Sequence, residues 1–408
     1  MSHRIVIVGA SLAGLRAAET LRQLGFDGSI AVIGAEPHLP YDRPPLSKQM
    51  LAGEWDAERL ILPAAHDPLG LEWRLGVKAT GLDLASRQVV TDDGATISFD
   101  GLVVATGATP RQLPGTVGMV GLHTLRTIDD CLAIRAALGA GVGRVVVVGA
   151  GFIGAEVAAT CRGRGVDVTL VEALPFPLDR VLGPEIGAVC ADLHRDHGVD
   201  LRLGTGVDHV EVDGRGHVTR VHLVGGAALD ADLVLVGIGV VPNRTWLERS
   251  GLTVGDGVLC DASTLAASGV VAAGDVARWP NAAFDGEVMR IEHWDNALAM
   301  GAHAARRLLA EGGADLPVEP FAPVPWFWSD QYDCKIQLAG RTGPGDEVAV
   351  VHGSLEERRF IALYGRNGRV VGALGFNMAG RVAQYRAAIA DRLAWGEALA
   401  EASVDVTG

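Results

Sequence analysis

Two residues of opposite charge stand near glycine-rich turns in this chain. Lys48 closes the stretch "RPPLSK" (43–48), and Glu156 lies two residues beyond the last glycine of "GAGFIG" (149–154). Pro44 and Pro45 restrict the backbone ahead of Lys48, so its ammonium is presented with little conformational freedom left to lose. Glu156 falls in the first turn of a helix otherwise made of Ile, Ala and Val, and two readings stay open for it. It is a solvated acid that complements the positive end of a helix, or it is the partner of Lys48. A buried ammonium without a partner would cost on the order of several kcal/mol, so the pair is more economical than either residue alone.

The elements that must position these residues form a repeat. "RIVIVGASLAGLRAAETLRQLGFDGSIAVIGAE" (4–36) and "RVVVVGAGFIGAEVAATCRGRGVDVTLVEA" (144–173) each give a β-branched strand, a glycine turn, an alanine-rich helix and a second strand ending near an acid. The two copies are offset by 140 residues at Gly9 and Gly149. This is one βαβ unit built twice. Gly9 and Gly149 allow a tight turn, Gly14 and Gly154 allow helix and strand to pack closely, and the helix amides then point at a pyrophosphate. Ser11 replaces the middle glycine of the first copy, whereas Gly151 keeps it in the second. Glu36 and Glu172 follow the last glycine by 22 and 18 residues, where a carboxylate accepts hydrogen bonds from a ribose. At Glu172 a 2′-phosphate would be repelled by about 4 kcal/mol per unit charge before screening, at 4 Å and an effective dielectric near 20. NADH is therefore expected there rather than NADPH, and the single Arg180 does not reverse the preference.

"LVVATGATPR" (102–111) and "LAASGVVAAGDVA" (265–277) read as strands that return to the first site. Asp275, at a strand end beside Gly274, is placed either to accept from a ribityl chain or to cap a helix. The chain order is then nested: a first nucleotide domain at 1–112 and 242–318, interrupted by a second at 113–241. From 319 to 408 the texture changes to prolines, aromatics and short strand-like runs ("KIQLAG", "RFIALYG", "RVVGALGF"), with a closing helix over 379–394. The expected fold class is α/β, with two Rossmann-like domains of glutathione-reductase type, one nested in the other, plus a C-terminal α+β domain.

Composition excludes several classes. The chain has 408 residues, enough for two or three domains, and a net charge of −14 gives no electrostatic footprint for nucleic acid. Its five cysteines, Cys131, Cys161, Cys190, Cys260 and Cys334, have no metal-binding spacing and read as reduced thiols of a cytoplasmic protein. No apolar run reaches the roughly 18–20 residues that a membrane span needs. The opening "MSHRIVIVGASLAGL" mimics a secretory signal, but the same pattern recurs in mid-chain, so it reads as a buried strand and turn.

Together, the two dinucleotide folds, "RPPLSK", "ATGATPR" (105–111), "AAGDVA" (272–277) and "EHWDNA" (292–297) make the chain resemble FAD-dependent NADH:ferredoxin reductases. These are the putidaredoxin-reductase-like enzymes and the reductase components of aromatic dioxygenases. The resemblance implies FAD at the first site, through Gly9, Ala13, Gly14 and Glu36, with Arg43, Lys48, Ala79, Thr106, Gly107 and Arg126 as further contacts. It implies Asp275 as the ribityl ligand and Trp294 at the pyrimidine end of the ring. Gly34 stands where many relatives carry the ribose acid, and Glu36 takes that part here. The second site would bind NADH through Gly149, Gly151, Ile153, Gly154 and Glu156, with Glu172 and Arg180 on the adenosine side and Gly237 and Gly239 over the nicotinamide half.

The resemblance also implies that Lys48 pairs with Glu156 at the flavin, where the ammonium favours the more negative reduced ring. Residues 36–60 contain no cysteine, so the thiol that disulfide reductases of this fold require is missing. Electrons would leave instead to a [2Fe–2S] ferredoxin serving a cytochrome P-450 or a Rieske-type oxygenase. His303, Arg306 and Arg307 offer that acidic partner a positive helix face, or are simply solvated, and Trp328 or Trp326 in "WFWSD" (326–330) would cover the ring or serve as ordinary core. A monomer suffices for this chemistry. Rival expectations are an NADH:rubredoxin reductase or NADH oxidase, and a redox-sensing interaction protein like apoptosis-inducing factors.

Overall fold

Valine and isoleucine dominate the strands that open each βαβ copy, and runs of β-branched residues buried on both faces are what a parallel sheet selects. A computed structural model describes residues 3–66 and 69–405, and the chain divides into two compact units. The first contains residues 1–42, 60–109 and 241–325; the second contains 43–59, 110–240 and 326–408.

In the first unit a six-stranded sheet runs in the order Leu265–Ala267, Val270–Ala272, Gly101–Val104, Arg4–Val8, Ser29–Gly34, Leu71–Leu75. All pairings are parallel except the hairpin of the first two strands. The segment read from sequence as one strand over 265–277 is therefore two short strands and a turn. Helix Leu12–Gln23 packs along helix Trp294–Glu311, and the approach is close: a Cβ on Gly301 would lie 2.4 Å from the Ala13 carbonyl oxygen.

In the second unit a five-stranded parallel sheet has the order Asp200–Leu203, Asp167–Glu172, Arg144–Val148, Leu233–Val236, Leu122–Thr124. Helix Phe152–Gly163 follows its glycine turn. Helix Asp179–Asp196 is broken at Gly183, whose φ of 76° is left-handed, just before Pro184. Beyond residue 325 the chain forms an antiparallel sheet, ordered Trp326–Gln331, Cys334–Gly340, Arg369–Phe376, Arg359–Arg366, Glu347–Ser354. Leu182, Ile186, Cys190 and Leu193 of the broken helix bury themselves against Phe327, Ile336, Leu338, Phe360 and Phe376 of that sheet. This shared core is why the C-terminal strands belong to the second unit. Residues 319–325, grouped from sequence with the C-terminal strands, lie in the first unit, and residues 43–59 lie in the second.

The α/β class and the nested order are as the sequence led one to expect, and the short C-terminal strand-like runs pair into an antiparallel sheet. The closing helix spans Ala379–Ala390 and is followed by a further helix, Trp395–Asp405. Among the described residues, no helix is long and apolar enough to cross a membrane.

Candidate functional site

The first unit carries one glycine cradle. Gly9 has φ +127°, and a Cβ there would lie 2.0 Å from the Ala105 carbonyl oxygen. A Cβ on Gly14 would lie 1.9 Å from the Gly9 carbonyl oxygen, so only hydrogen fits at either position. The bare turn leaves the amides at the start of helix Leu12–Gln23 open to a phosphate, and Ala13 is buried in its first turn. Glu36, just past strand Ser29–Gly34, accepts a hydrogen bond from the Tyr41 hydroxyl. Gly34 cannot carry the acid, because a Cβ at that point would meet the Ala10 methyl at 2.5 Å.

Thr106 and Gly274 lie next to that cradle: a Cβ on Gly9 would lie 3.0 Å from the Thr106 nitrogen, and one on Gly274 would lie 3.1 Å from the Ala13 methyl. The Thr106 hydroxyl donates to the Asn243 carbonyl at 2.7 Å, and the Asn243 amide donates back to the Thr106 carbonyl at 2.8 Å. Asn243 thereby pins the turn through Gly107, a role not legible in the linear chain, because the two segments lie 137 residues apart. Ala79 begins strand Ala79–Asp83 and is buried. Asp275 is half-buried inside the short 3-10 turn Gly274–Val276, whose cap position is Ala273, so the alternative of Asp275 as a helix cap is set aside. Trp294 opens helix Trp294–Glu311 and donates its indole N–H to Asp42 at 2.7 Å. Asp42 is a further partner that sequence reasoning missed.

The second unit repeats the cradle. Gly149 has φ +98°, and a Cβ on Gly154 would lie 1.9 Å from the Gly149 carbonyl oxygen. Gly151 occupies the cap of helix Phe152–Gly163, and Ile153 is exposed in its first turn. The Glu172 carboxylate is fixed on both oxygens: Oε2 accepts from the Ala150 amide at 2.7 Å and Oε1 from the Leu174 amide at 2.9 Å. Those bonds hold the carboxylate beside the glycine turn. Arg180 is exposed in the first turn of helix Asp179–Asp196. Gly237 donates its amide to the Val148 carbonyl, and Gly239, with φ +94°, accepts from the Arg111 amide, so this loop follows the turn closely.

Lys48 and Glu156 meet in this unit. Lys48 Nζ donates to Glu156 Oε2 at 2.9 Å, with the two side chains only 12% and 4% exposed. The reading of Glu156 as a solvated surface acid is therefore excluded. Two hydroxyls complete the carboxylate: Ser47 Oγ donates to Oε2 at 2.5 Å and Ser329 Oγ donates to Oε1 at 2.8 Å. Burying two charges is tolerable only with such additional donors.

The segment bearing Lys48 is itself held. Pro44–Ser47 form a 3-10 turn, the Ser47 carbonyl accepts from Thr160 at 2.7 Å, and Arg43 donates to the Arg126 carbonyl at 2.7 Å. Cys131 Sγ approaches the Leu46 carbonyl at 3.2 Å, but burial pushes its thiol up to about 11, so it offers no thiolate.

Strand Trp326–Gln331 alternates. Phe327, Ser329 and Gln331 are buried, while Trp326 and Trp328 are half-exposed and lie 5.3 Å apart between ring centroids. On helix Trp294–Glu311 the expected basic face separates. Arg306 is exposed, whereas Arg307 is drawn in, donating to Ser263 Oγ at 2.9 Å and pairing with Glu311 at 2.9 Å. His303 is half-buried beside Phe321, and burial lowers its pKa, so it favours the neutral form. The positive charge left on that face is Arg306.

Comparison with known proteins divides the chain differently from the two units. Residues 3–301 match the family model described as pyridine nucleotide-disulphide oxidoreductase, and 326–407 match the one described as reductase C-terminal. The chain is 38% identical to the 5,5′-dehydrodivanillate O-demethylase ferredoxin reductase subunit of Sphingobium sp., over 95% of this chain and 93% of that protein. It is 39% identical to the ferredoxin–NAD(+) reductase component of the p-cumate 2,3-dioxygenase system of Pseudomonas putida, over 85% and 83%. Among solved structures it is similar to a covalent putidaredoxin reductase–putidaredoxin complex, with TM-score 0.90 and 35% identity over 96% and 94% of the two chains.

Proposed function

The chain belongs to the pyridine nucleotide-disulphide oxidoreductase family, and from that premise we propose that it passes electrons from NADH through FAD to a [2Fe–2S] ferredoxin. The ferredoxin in turn serves a cytochrome P-450 or a Rieske-type oxygenase. The observation that carries this reading is the buried Lys48–Glu156 pair, set in a segment without a cysteine where a disulfide reductase would need a thiolate.

Both cradles fit the cofactors by the same test: the space that a Cβ would fill at Gly14 and at Gly154 must stay empty for the turn to close. Gly9, Ala13, Gly14, Glu36, Ala79, Thr106, Gly107, Asp275 and Trp294 would hold FAD, with Arg43, Lys48 and Arg126 as flavin-side residues. Gly149, Gly151, Ile153, Gly154, Glu156, Glu172, Arg180, Gly237 and Gly239 would hold NADH. When bound, FAD supplies the conversion of one hydride into two single electrons, for a balance of NADH and two oxidised ferredoxins giving NAD⁺, two reduced ferredoxins and one proton.

This chain's own residues orient and charge the site. Lys48 contributes a fixed positive charge, Glu156 holds that ammonium in place, and Glu172 selects the unphosphorylated ribose. The exposed Arg306 and the half-exposed Trp328 are the candidate contacts for the acidic carrier. The location we propose is cytoplasmic, and the five unpaired cysteines support it.

Anaerobic titration of the purified yellow protein tests the reading. NADH should bleach the flavin stoichiometrically and at least about tenfold faster than NADPH. The reduced protein should then be reoxidised by a [2Fe–2S] ferredoxin far faster than by oxygen. Preferred reoxidation by oxygen or rubredoxin, or a long-lived complex that passes electrons to none of these, would replace it with one of the rival expectations.

A further inference from the structure

Glu156 Oε1 accepts from Ser329 Oγ at 2.8 Å, and Ser329 Oγ in turn accepts from Gln331 Nε2 at 3.2 Å. Ser329 and Gln331 lie on the buried face of strand Trp326–Gln331 and are both 0% exposed. The direction of this chain of bonds is fixed by valence. A serine has one proton to give and a carboxylate can only accept, so the hydroxyl proton goes to Glu156. The serine oxygen then needs a donor, and the Gln331 N–H supplies it. The other end of that amide, Oε1, has no hydrogen-bond partner, so the glutamine makes no better bond by turning round.

We propose that Ser329 and Gln331 are positioning residues for the Lys48–Glu156 pair. Gln331 orients the Ser329 hydroxyl, and Ser329 holds one carboxylate oxygen of Glu156 so that the other faces Lys48 and Ser47. The inference rests on the reading above that Lys48, held in place by Glu156, supplies the fixed charge that favours reduction of the flavin. It adds to it that a strand 173 residues away sets the geometry of the carboxylate. Without the Ser329 hydroxyl, Oε1 loses its donor in a site where Glu156 is only 3% exposed, the carboxylate is free to turn, and the ammonium follows it.

The test uses the FAD-loaded protein for kinetics and the flavin-free protein for unfolding. Ser329→Ala should slow anaerobic hydride transfer from NADH about tenfold with the NADH Kd within about twofold. Gln331→Met, which keeps the volume and spares the serine, should slow it about threefold, and it carries the same test should Ser329→Ala fail to fold. In the flavin-free protein the double variant Ser329→Ala/Glu156→Gln should show a coupling of roughly tenfold in the unfolding equilibrium constant. Additive effects on unfolding, together with a hydride-transfer rate that Ser329→Ala leaves unchanged, would overturn the proposal. Lys48→Met separates the two levels. If it slows hydride transfer while Ser329→Ala does not, the positioning role alone fails; if Lys48→Met has no effect, the reading of the pair fails and this inference goes with it.

Discussion

A carboxylate that accepts three hydrogen bonds while almost wholly out of water, as Glu156 does, is an expensive object unless every donor is in place. The family resemblance implied the pairing of Lys48 with Glu156, and the cost of an isolated buried ammonium supported it, while the residues alone left Glu156 open between a partner and a surface acid. Ser47, Ser329 and Gln331 could not be anticipated. Serine and glutamine fit equally well at a surface, and nothing in a linear string brings position 329 to position 156. Asn243 and Asp42 were hidden for the same reason.

Another buried polar residue titrates within an accessible range. His194 is 0% exposed, its Nδ1 lies 2.8 Å from the Tyr332 hydroxyl, and its Nε2 has no hydrogen-bond partner. Burial lowers its pKa from 6.5 to about 4. Between those values the unfolded chain binds more protons than the folded one, so this contribution is fully present above the unfolded pKa and is lost as pH falls through the folded one. The span corresponds to about 3 kcal/mol. Chemical denaturation at pH 7 and pH 4.5 should therefore show a smaller loss of stability for His194→Gln than for the parent chain; equal losses would dissociate the acid sensitivity from this imidazole.

Among the elements, the two glycine turns were the most legible, because their requirement is local and steric. A tight strand-to-helix turn leaves no room for a Cβ, whatever the rest of the molecule does. Gly154→Ala should accordingly yield protein that stays yellow but binds NADH at least about tenfold more weakly. The measurement is flavin absorbance together with an NADH titration, and retention of normal affinity would mean that the turn relaxes more than its geometry implies.

Helix limits were less legible. The closing helix ends at Ala390 rather than 394, with a second helix from Trp395. The break at Gly183–Pro184 divides helix Asp179–Asp196. The split of Arg306 from Arg307 shows the limit of spacing rules: i+3 and i+4 share a broad face, yet Ser263 and Glu311 draw one guanidinium inward and leave its neighbour in solvent.

For the molecule as a whole, a net charge of −14 means that an acidic carrier would approach against the average field, and a local positive surface would then have to do the recognition. Arg307 is committed to Glu311, and that leaves Arg306 as the clean probe on its helix. Arg306→Glu should lower kcat/KM for ferredoxin about tenfold at low ionic strength while reduction of ferricyanide stays within about twofold. A parallel fall in both rates would move the docking surface elsewhere. The nested order of the chain was readable because the βαβ pattern occurs twice and the first fold resumes after the second. The membership of the two units was not: the C-terminal sheet shares a core with helix Asp179–Asp196, a fact set by side chains that meet only after folding.

All five cysteines are buried and unpaired, and burial raises the thiols of Cys161, Cys190 and Cys260 to about 12. An electron carrier working in air generates some hydrogen peroxide close to its own backbone, and peroxide attacks a cysteine sulfur as the deprotonated thiolate. A chain whose cysteine thiols are all kept protonated in its interior is thus poorly susceptible, at those positions, to the by-product of its own leakage.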